Sequence, residues 1–426
     1  MRRAVFLDRD GTITKNDGYF HEYGHIEFVE RLQESIKTLN KDFLVILITN
    51  QPVVARGLCT EDHVREVHEK IISGLAKEGA RLDAAYFCPH HPEMHDDVPE
   101  HVRRYRVKCS CRKPGTGMIE HAVKDFGIDV KNSFFIGDST RDIQTAKNAG
   151  CTSILVKTGL AGNDGKYEIE PDYTCSDVLE ASKLINDITN VKAILLAGGK
   201  GERLRPLTLE TPKPLLEIAG RPILEHQITA LKKNGIERVV LCTSYLSDKI
   251  KDRFGDGSSF GVNIEYPDEP EMLGSGGAVR NASGFLKDAS YIIIINGDSM
   301  VDSKFDFREL IKFHISKKAF ATLLVRETDH PMDSDVLKMD ENGKVVEFVG
   351  RGQETHRVAN SGMTISSVDI IDYIPDGNCS IEKDVLFKLI GKKDLYGFKM
   401  PDRWFKRDVG TLDRLESVRN HFKAIQ

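Results

Sequence analysis

Short apolar runs that stop at a polar residue, each followed by an amphipathic stretch, recur along this sequence and fix its fold class. The first series reads "AVFLD", "FVERLQESIKTLNK", "FLVILITN", "EDHVREVHEKIISGLAKEG", "AAYFCP", "GMIEHAVKDFGI", "SFFIGD", "DIQTAKNAG" and "TSILVKTG". Apolar runs without polar alternation are strands buried on both faces, as in parallel sheets covered by helices. A second series opens at "VKAILLAGG", near residue 191, and continues through "ILEHQITALKKNGI", "RVVLCTS", "LSDKIKDRFG", "NIEYP" and "YIIIINGD". The alternation predicts an α/β protein of two tandem doubly wound, mostly parallel-sheet domains. The expected boundaries are 1–188, closed by the helical "SDVLEASKLINDI", and 191–426, with a short join around Asn190. At 426 residues the chain also exceeds what one ordinary core serves.

Composition excludes several classes. With 40% hydrophobic and 29% charged residues and a formal charge of -5, the chain reads as soluble and globular, with neither nucleic acid nor an anionic membrane as partner. The longest apolar runs, "FLVILIT" and "YIIIIN", are less than half a membrane span. "MRRAVFLDRDGT" enters a strand directly and lacks a secretory apolar region. Eight cysteines, five of them scattered singly, form no disulfide framework. A cytoplasmic location is expected, and the oligomeric state, homo-oligomers included, is left open.

Ligands of parallel sheets bind beyond the carboxyl ends of the strands. In the first domain those ends offer Asp8 and Asp10, then Thr49 and Asn50, then Asp138 and Asp142. Carboxylates converging there repel one another unless a hard cation such as Mg²⁺ sits between them. The same cation neutralises a phosphate and lets an anionic nucleophile attack it. Between Cys88 and Gly115 lies a polar loop, "CPHHPEMHDDVPEHVRRYRVKCSCRKPG". Its Cys88-x-His90 and Cys109-x-Cys111 pairs are soft ligands of the kind a structural tetrahedral Zn²⁺ takes, and the metal would supply folding energy the loop lacks. His91, His95 and His101 are alternative ligands to His90. Arg112 and Lys113 follow the last ligand and are expected over the carboxylate cluster, facing a phosphate.

The strand ends "FLDRDGT", "ILITNQ" and "FFIGDSTRD" resemble the haloacid-dehalogenase phosphatase superfamily over roughly residues 1–160. The resemblance implies Asp8 as nucleophile forming an aspartyl-phosphate and Asp10 as general acid, then base. It further implies Thr49 holding the transferring phosphoryl group, and Asp8, the Asp10 carbonyl and Asp138 on Mg²⁺. "FLDRDGTI", "GYFHE", "TNQPVVARG", "CPHHP", "CSCRKP" and "IGDSTRD" together resemble the D-glycero-D-manno-heptose-1,7-bisphosphate 7-phosphatases, with Arg56 matching a substrate-phosphate contact and Asn50 beside it. "NQPVV" departs from the usual Ser-Gly after "NQ", and Ser139 stands where a Lys often does, which shifts phosphate neutralisation onto Lys113. Histidinol-phosphate phosphatases share the zinc loop; "GYFHE" and "ARG" favour the heptose group.

In the second domain "AILLAGG" leads into "KGERLRP", where Gly198, Gly199 and Gly201 let backbone approach a triphosphate and Arg203 and Arg205 add charge. Neither a dinucleotide nor a Walker motif can be laid over it. Lys213 sits between two prolines that fix its backbone, and "LGSGGAVRNA" brings Gly274, Gly276 and Gly277 as a flat place for a ligand. Asp298 ends a strand and Asp408 lies in "WFKRDVGT"; together they could share one Mg²⁺. The constellation resembles the sugar-1-phosphate nucleotidyltransferases over roughly 191–426. That implies in-line attack by a sugar phosphate on the nucleotide α-phosphate with release of pyrophosphate, without a covalent intermediate. Carried over, Gly198, Gly199, Gly201 and Arg203 hold the triphosphate, Lys213 stabilises the transferring phosphate, Asp298 and Asp408 bind Mg²⁺, and Glu347 and Asn360 bind sugar. Phe348 replaces a Lys that commonly follows the Glu, and Arg351 is a substitute. "LGSGGAVRNA" with "NGDS" looks most like heptose-1-phosphate guanylyltransferases, although relatives using UTP, dTTP or CTP share nearly everything else. The two resemblances name consecutive steps: a sugar bisphosphate dephosphorylated to a sugar 1-phosphate, then activated with GTP to a GDP-heptose.

Overall fold

The computed structural model describes residues 2–15, 26–93, 100–269, 271–328, 335–350 and 358–424. The chain divides into two compact units, Met1–Asn186 and Asp187–Gln426, the division falling inside the helix Val178–Thr189.

The first unit is built on six parallel strands: β1 (Ala4–Leu7), β2 (Leu44–Asn50), β3 (Ala84–Cys88), β4 (Phe134–Gly137), β5 (Thr152–Val156) and β6 (Tyr173–Cys175). They lie in the order β3-β2-β1-β4-β5-β6. β1 and β4 are buried at every residue, as their unbroken apolar sequences require. The chain winds one way from β1 to β3 and the other way from β4, so the ends of β1, β2 and β4 open onto one crevice. Covering helices start where sequence rules place them. Thr60 accepts a hydrogen bond from His63 N to cap Glu61–Lys77, whose Val64, Val67, Ile71 and Leu75 turn inward at helical spacing. Ser139 and Asp142 form a capping box on Thr140–Ala149, which fixes the Asp142 carboxylate at the mouth of the crevice.

The second unit carries β7 (Val191–Leu196), the short pair β8 (Glu217–Ile218) and β9 (Arg221–Pro222), β10 (Arg238–Cys242), β11 (Asn263–Glu265), β12 (Tyr291–Asn296) and β13 (Ser299–Val301). β14 (Ala321–Glu327), β15 (Val336–Met339), β16 (Val345–Gly350), β17 (Val358–Ser367), β18 (Leu395–Lys399) and β19 (Lys406–Asp408) follow. Its main sheet runs β11-β10-β7-β12-β17-β14-β18. β11, β10, β7 and β12 are parallel; β17 then enters antiparallel to both β12 and β14, with a β15–β16 hairpin beside it. This half is less parallel than the alternation of apolar runs predicts. Its signal was the mixed polarity of "VLKM" and "VVEFVG", the pattern of strands with one wet face. Isoleucines 292–295 of β12 are all buried, each worth about 1.5–3 kcal/mol in removal from water. Among the described residues no helix is long and apolar enough to cross a membrane.

His314 is buried in this unit, Nδ1 on Thr322 Oγ1 at 2.9 Å, and burial pulls it down to about 4. The unfolded chain therefore takes up the proton first, and stability falls as pH drops from about 6.5 towards 4. Relative to His314→Leu, the wild-type second unit is expected to lose up to about 1.4 kcal/mol per pH unit in that window, read from urea midpoints; a pH-independent difference would contradict this.

Candidate active sites

Asp8 leaves β1 at the crevice, and Lys113 is driven in beside it. The lysine is 3% exposed, with Nζ at 2.7 Å from Asp8 Oδ1 and 2.6 Å from Asp142 Oδ1. Burial alone would lower it; Asp142 and Asp8 outweigh that and hold it above its ordinary value, charged. Arg9 N also donates to Asp8 Oδ1 at 2.7 Å, so one oxygen takes both donors and Oδ2 is left for other chemistry. Asp138 lies close by, its Oδ2 accepting from Leu160 N at 2.7 Å. Burial first, then repulsion from Asp142, pushes Asp138 up to about 7, and the same causes raise Asp8 well above the carboxylate range. Carboxyls so strained electrostatically fit a cation, and the oxygens of Asp8, Asp138 and Asp142 lie within 4.8 Å of one another.

The structure redistributes several expected roles. Asp142, not the Asp10 side chain, completes the carboxylate cluster, and its oxygens are engaged by Lys113 and Ser139. Asp10 turns instead to Arg9, at 2.8 Å and 3.1 Å, and to Gln51, at 2.9 Å. Thr49 Oγ1 accepts from Gln51 Nε2 at 2.9 Å, which leaves its own proton to donate towards the crevice. Asn50 is engaged by backbone. Its amide spans the backbone of Lys113, accepting from N at 2.9 Å and donating to O at 3.3 Å. Arg112 Nη1 donates to His90 O on the loop at 3.0 Å. The two side chains after Cys111 thus part, Lys113 into the crevice and Arg112 onto the loop, with Asn50 holding the Lys113 N–H between them. Arg56 is exposed. The "GYFHE" segment, His95 and Arg351 lie outside the described residues.

Cys88, His90, Cys109 and Cys111 converge. Their sulfur–sulfur separations are 3.2, 3.3 and 3.6 Å, and His90 Nδ1 is 3.3 Å from Cys111 and 3.6 Å from Cys88. Tetrahedral zinc with Zn–S of about 2.3 Å and Zn–N of about 2.0 Å needs edges of about 3.5–3.8 Å, so the donors fit such an ion. They are far from a disulfide's ~2.05 Å. A hydrogen bond from Cys88 pulls the Cys111 thiol down to about 5, towards the thiolate a metal binds. His91 turns to Glu93, and neither it nor His101 joins the cluster.

In the second unit β7, β10 and β12 end in register, Leu196 beside Cys242 and Asn296. Gly198, Gly199, Gly201, Lys213, Asp298, Asn296, Glu269 and Gly274 thereby line one cavity of about 310 Å³. Gly201 holds φ 63°, and a Cβ there would press on Thr208 at 3.0 Å and Lys213 at 3.2 Å. Lys213 Nζ is paired with Asp298. Asp408 arrives through β13–β19 pairing, opposite Ser299, and Val409 N donates to Asp298 O at 2.9 Å. Burial raises Asp408, yet Lys406 at 2.6 Å outweighs it and leaves the carboxyl below its ordinary value. Arg203 is exposed, reaching towards Gly410 beside Asp408, and is not part of the cavity wall. Asn360 and Gly362 stand close to Asn296, whereas Glu347 is exposed in a hairpin ion pair with Lys338 at 3.8 Å. Gly276 and Gly277 are a correction. Neither lines this cavity; a Cβ would lie 2.7 Å from Cys379 Sγ or 2.4 Å from Gly377 O, so they serve close packing of the helix Gly274–Asn281. Glu269, which burial raises, went unread because a lone Glu in a loop carries no motif.

The nucleotidyl transferase family model matches residues 192–424, and a HAD-hydrolase-like model matches 110–181. A D-glycero-beta-D-manno-heptose-1,7-bisphosphate 7-phosphatase of Haemophilus ducreyi is 39% identical over 163 residues, 38% of this chain and 86% of that protein. The chain belongs to both families, one per unit. A mannose-1-phosphate guanylyltransferase of Mycobacterium tuberculosis is 38% identical over 226 residues, 52% of this chain. The chain spans 61% of the length of that nucleotidyltransferase. A Bacillus anthracis protein crystallised as a candidate glucose-1-phosphate thymidylyltransferase covers 55% of this chain and 96% of its own, with TM-score 0.50 and 22% identity, a likeness of fold.

Two outcomes follow from this geometry. Asp138 gives up its proton when a cation enters, so lowering the pH below about 7 is expected to raise the Mg²⁺ needed for half-maximal phosphate release, by up to about tenfold per unit. A midpoint constant between about pH 8 and 6 would contradict that. Gly276→Ala is expected to cost about 1–3 kcal/mol in unfolding of the second unit with nucleotide affinity retained, while Gly201→Ala loses affinity. Equal loss of affinity in both would restore Gly276 to the binding surface.

Proposed function

We propose that this chain is a bifunctional enzyme: it removes the 7-phosphate of D-glycero-D-manno-heptose 1,7-bisphosphate and then couples the heptose 1-phosphate to GMP from GTP, giving GDP-heptose and pyrophosphate. The observation that carries the first half is Lys113 buried between Asp8 and Asp142, an ammonium that lets a carboxylate meet a phosphate dianion. Asp8 Oδ2 attacks phosphorus, the bond to the sugar oxygen breaks, and Asp10 gives that oxygen a proton. Asp10 then takes a proton from water as it hydrolyses the aspartyl-phosphate. Thr49 donates to the phosphoryl group. Mg²⁺ held by Asp8, Asp138 and the Asp10 carbonyl would supply charge neutralisation. Zn²⁺ on Cys88, His90, Cys109 and Cys111 would be structural.

In the second unit Gly198, Gly199 and Gly201 receive the triphosphate, Lys213 offsets charge at the α-phosphate, and Asp298 with Asp408 would hold Mg²⁺. Arg203 approaches from the Asp408 side, and Asn360 with Glu347 remains assigned to the sugar. The choice of GTP and heptose is supported by the relatives' substrates, a heptose bisphosphate in one and a guanylyl donor in the other.

Supplied with the heptose bisphosphate, GTP and Mg²⁺, the chain is expected to release one phosphate and one pyrophosphate per GDP-heptose. Asp8→Asn is expected to abolish phosphate release while supplied heptose 1-phosphate is still activated; Lys213→Ala lowers the second activity by about 10²–10³-fold and spares the first. Preference for another sugar phosphate or for UTP or dTTP would overturn the substrate assignment. Cys109→Ser with Cys111→Ser is expected to lose one zinc and the phosphatase activity together, with nucleotidyl transfer intact; a zinc-free, fully active phosphatase would contradict the structural role.

A further inference from the structure

Beneath Asp10 lies a charged side chain that the proposed chemistry has not used. Arg9 is 1% exposed, one of the largest fully buried side chains of the molecule. A guanidinium in that setting costs several kcal/mol unless paired with good geometry. Its pairing is a fork: Nε to Asp10 Oδ1 at 2.8 Å and Nη2 to Asp10 Oδ2 at 3.1 Å. Nη2 also donates to Gln51 Oε1 at 2.9 Å, and Nη1 lies 3.4 Å from His68 Nε2. Burial, then Arg9 itself, pulls His68 down to about 3, so the imidazole is neutral and can accept.

Gln51, equally buried, closes the arrangement. Its Oε1 faces the guanidinium, so its Nε2 is turned to Asp10 Oδ2 at 2.9 Å and to Thr49 Oγ1 at 2.9 Å. The opposite amide orientation would set two donors against each other. Asp10 Oδ2 thus receives two donors and Oδ1 one. A carboxylate oxygen accepts two hydrogen bonds, so the spare lone pair is on Oδ1.

We propose that Arg9 and Gln51 are positioning residues that lock the Asp10 carboxyl so that Oδ1 alone exchanges the proton with the leaving sugar oxygen and then with water. The proposal rests on the phosphatase reading of Asp8 and Asp10. In the first step the proton passes from Asp10 Oδ1 to the bridging oxygen as the phosphorus–oxygen bond breaks, and the phosphoryl group is left on Asp8. In the second, Oδ1 recovers a proton from the water that attacks phosphorus. Gln51 couples the lock to Thr49, so acid and phosphate-holding hydroxyl keep one spacing.

A leaving group that needs no proton separates positioning from mere folding. Arg9→Met is expected to lower kcat on the sugar bisphosphate by about 10²-fold or more with KM within about threefold. With 4-nitrophenyl phosphate, whose phenolate leaves unprotonated, the first-turnover burst is retained within about threefold while later turnovers slow, because only hydrolysis of the acyl phosphate still needs Asp10. Arg9→Lys restores part of the loss, since a single ammonium cannot make the fork. Gln51→Met, which leaves Arg9 in place, shows the same pattern more weakly and carries the test should Arg9→Met fail to fold. Parallel loss of burst and turnover on both substrates in a folded variant, or unchanged kcat on the sugar phosphate, would overturn the proposal. Absence of wild-type turnover on either substrate would overturn the phosphatase reading itself, and the proposal with it.

Discussion

A buried ammonium among carboxylates is the interaction on which the first site depends. At about 4 Å two unit charges in a medium of effective dielectric ~20 interact by about 4 kcal/mol, so Asp8, Asp138 and Asp142 could not crowd together unaided. Lys113 supplies the opposing charge at 2.7 and 2.6 Å from two of them. The second unit repeats the device with different parts: Lys213 on Asp298, and Lys406 on Asp408 at 2.6 Å. In both units the strands deliver acids to one edge because apolar sequence ends there, and lysines from elsewhere in the chain make the gathering tolerable. In the proposed chemistry substrate phosphates bring more negative charge to the same places, and Lys113 and Lys213 are the groups assigned to offset it.

Placing Lys113 takes two independent constraints. Cys109 and Cys111 join the four-donor cluster just before it, and Asn50 holds both the N–H and the carbonyl of Lys113. The polar loop from Cys88 has little apolar surface of its own, so cross-linking through a metal is a physically sufficient way to fix its far end. Asp142 is placed with equal care, since the capping box that starts its helix also sets its carboxylate.

Much of this was legible in the chain. Asp8, Thr49 and Asp138 stand where apolar runs stop, and parallel sheets put such ends together. Cys88, His90, Cys109 and Cys111 were legible because soft ligand pairs in an apolar-poor loop have few other uses. The glycines after β7 line the cavity, whereas Gly276 and Gly277 do not. A glycine that frees backbone for a ligand and a glycine that lets a helix approach Cys379 look alike until the neighbour is known. The backbone contacts of Asn50 and Arg112 were not legible for a related reason: polarity beside a site does not say which neighbours a side chain meets. Arg9 carries no motif of its own between two aspartates, and only the fold shows it to be among the most buried residues present. The antiparallel β17 was obscured because its sequence, "VANSGMTISS", holds no unbroken apolar run and no mark of strand direction.

The central claim is that Asp8 carries the phosphoryl group. Mixing the protein with sugar bisphosphate, quenching in acid within the first turnover, reducing with borohydride and mapping peptides by mass spectrometry tests it most directly. One side chain, Asp8, is expected to be reduced to homoserine, dependent on substrate. Phosphate release without modification at Asp8, or modification at Asp10, Asp138 or Asp142 instead, would contradict it.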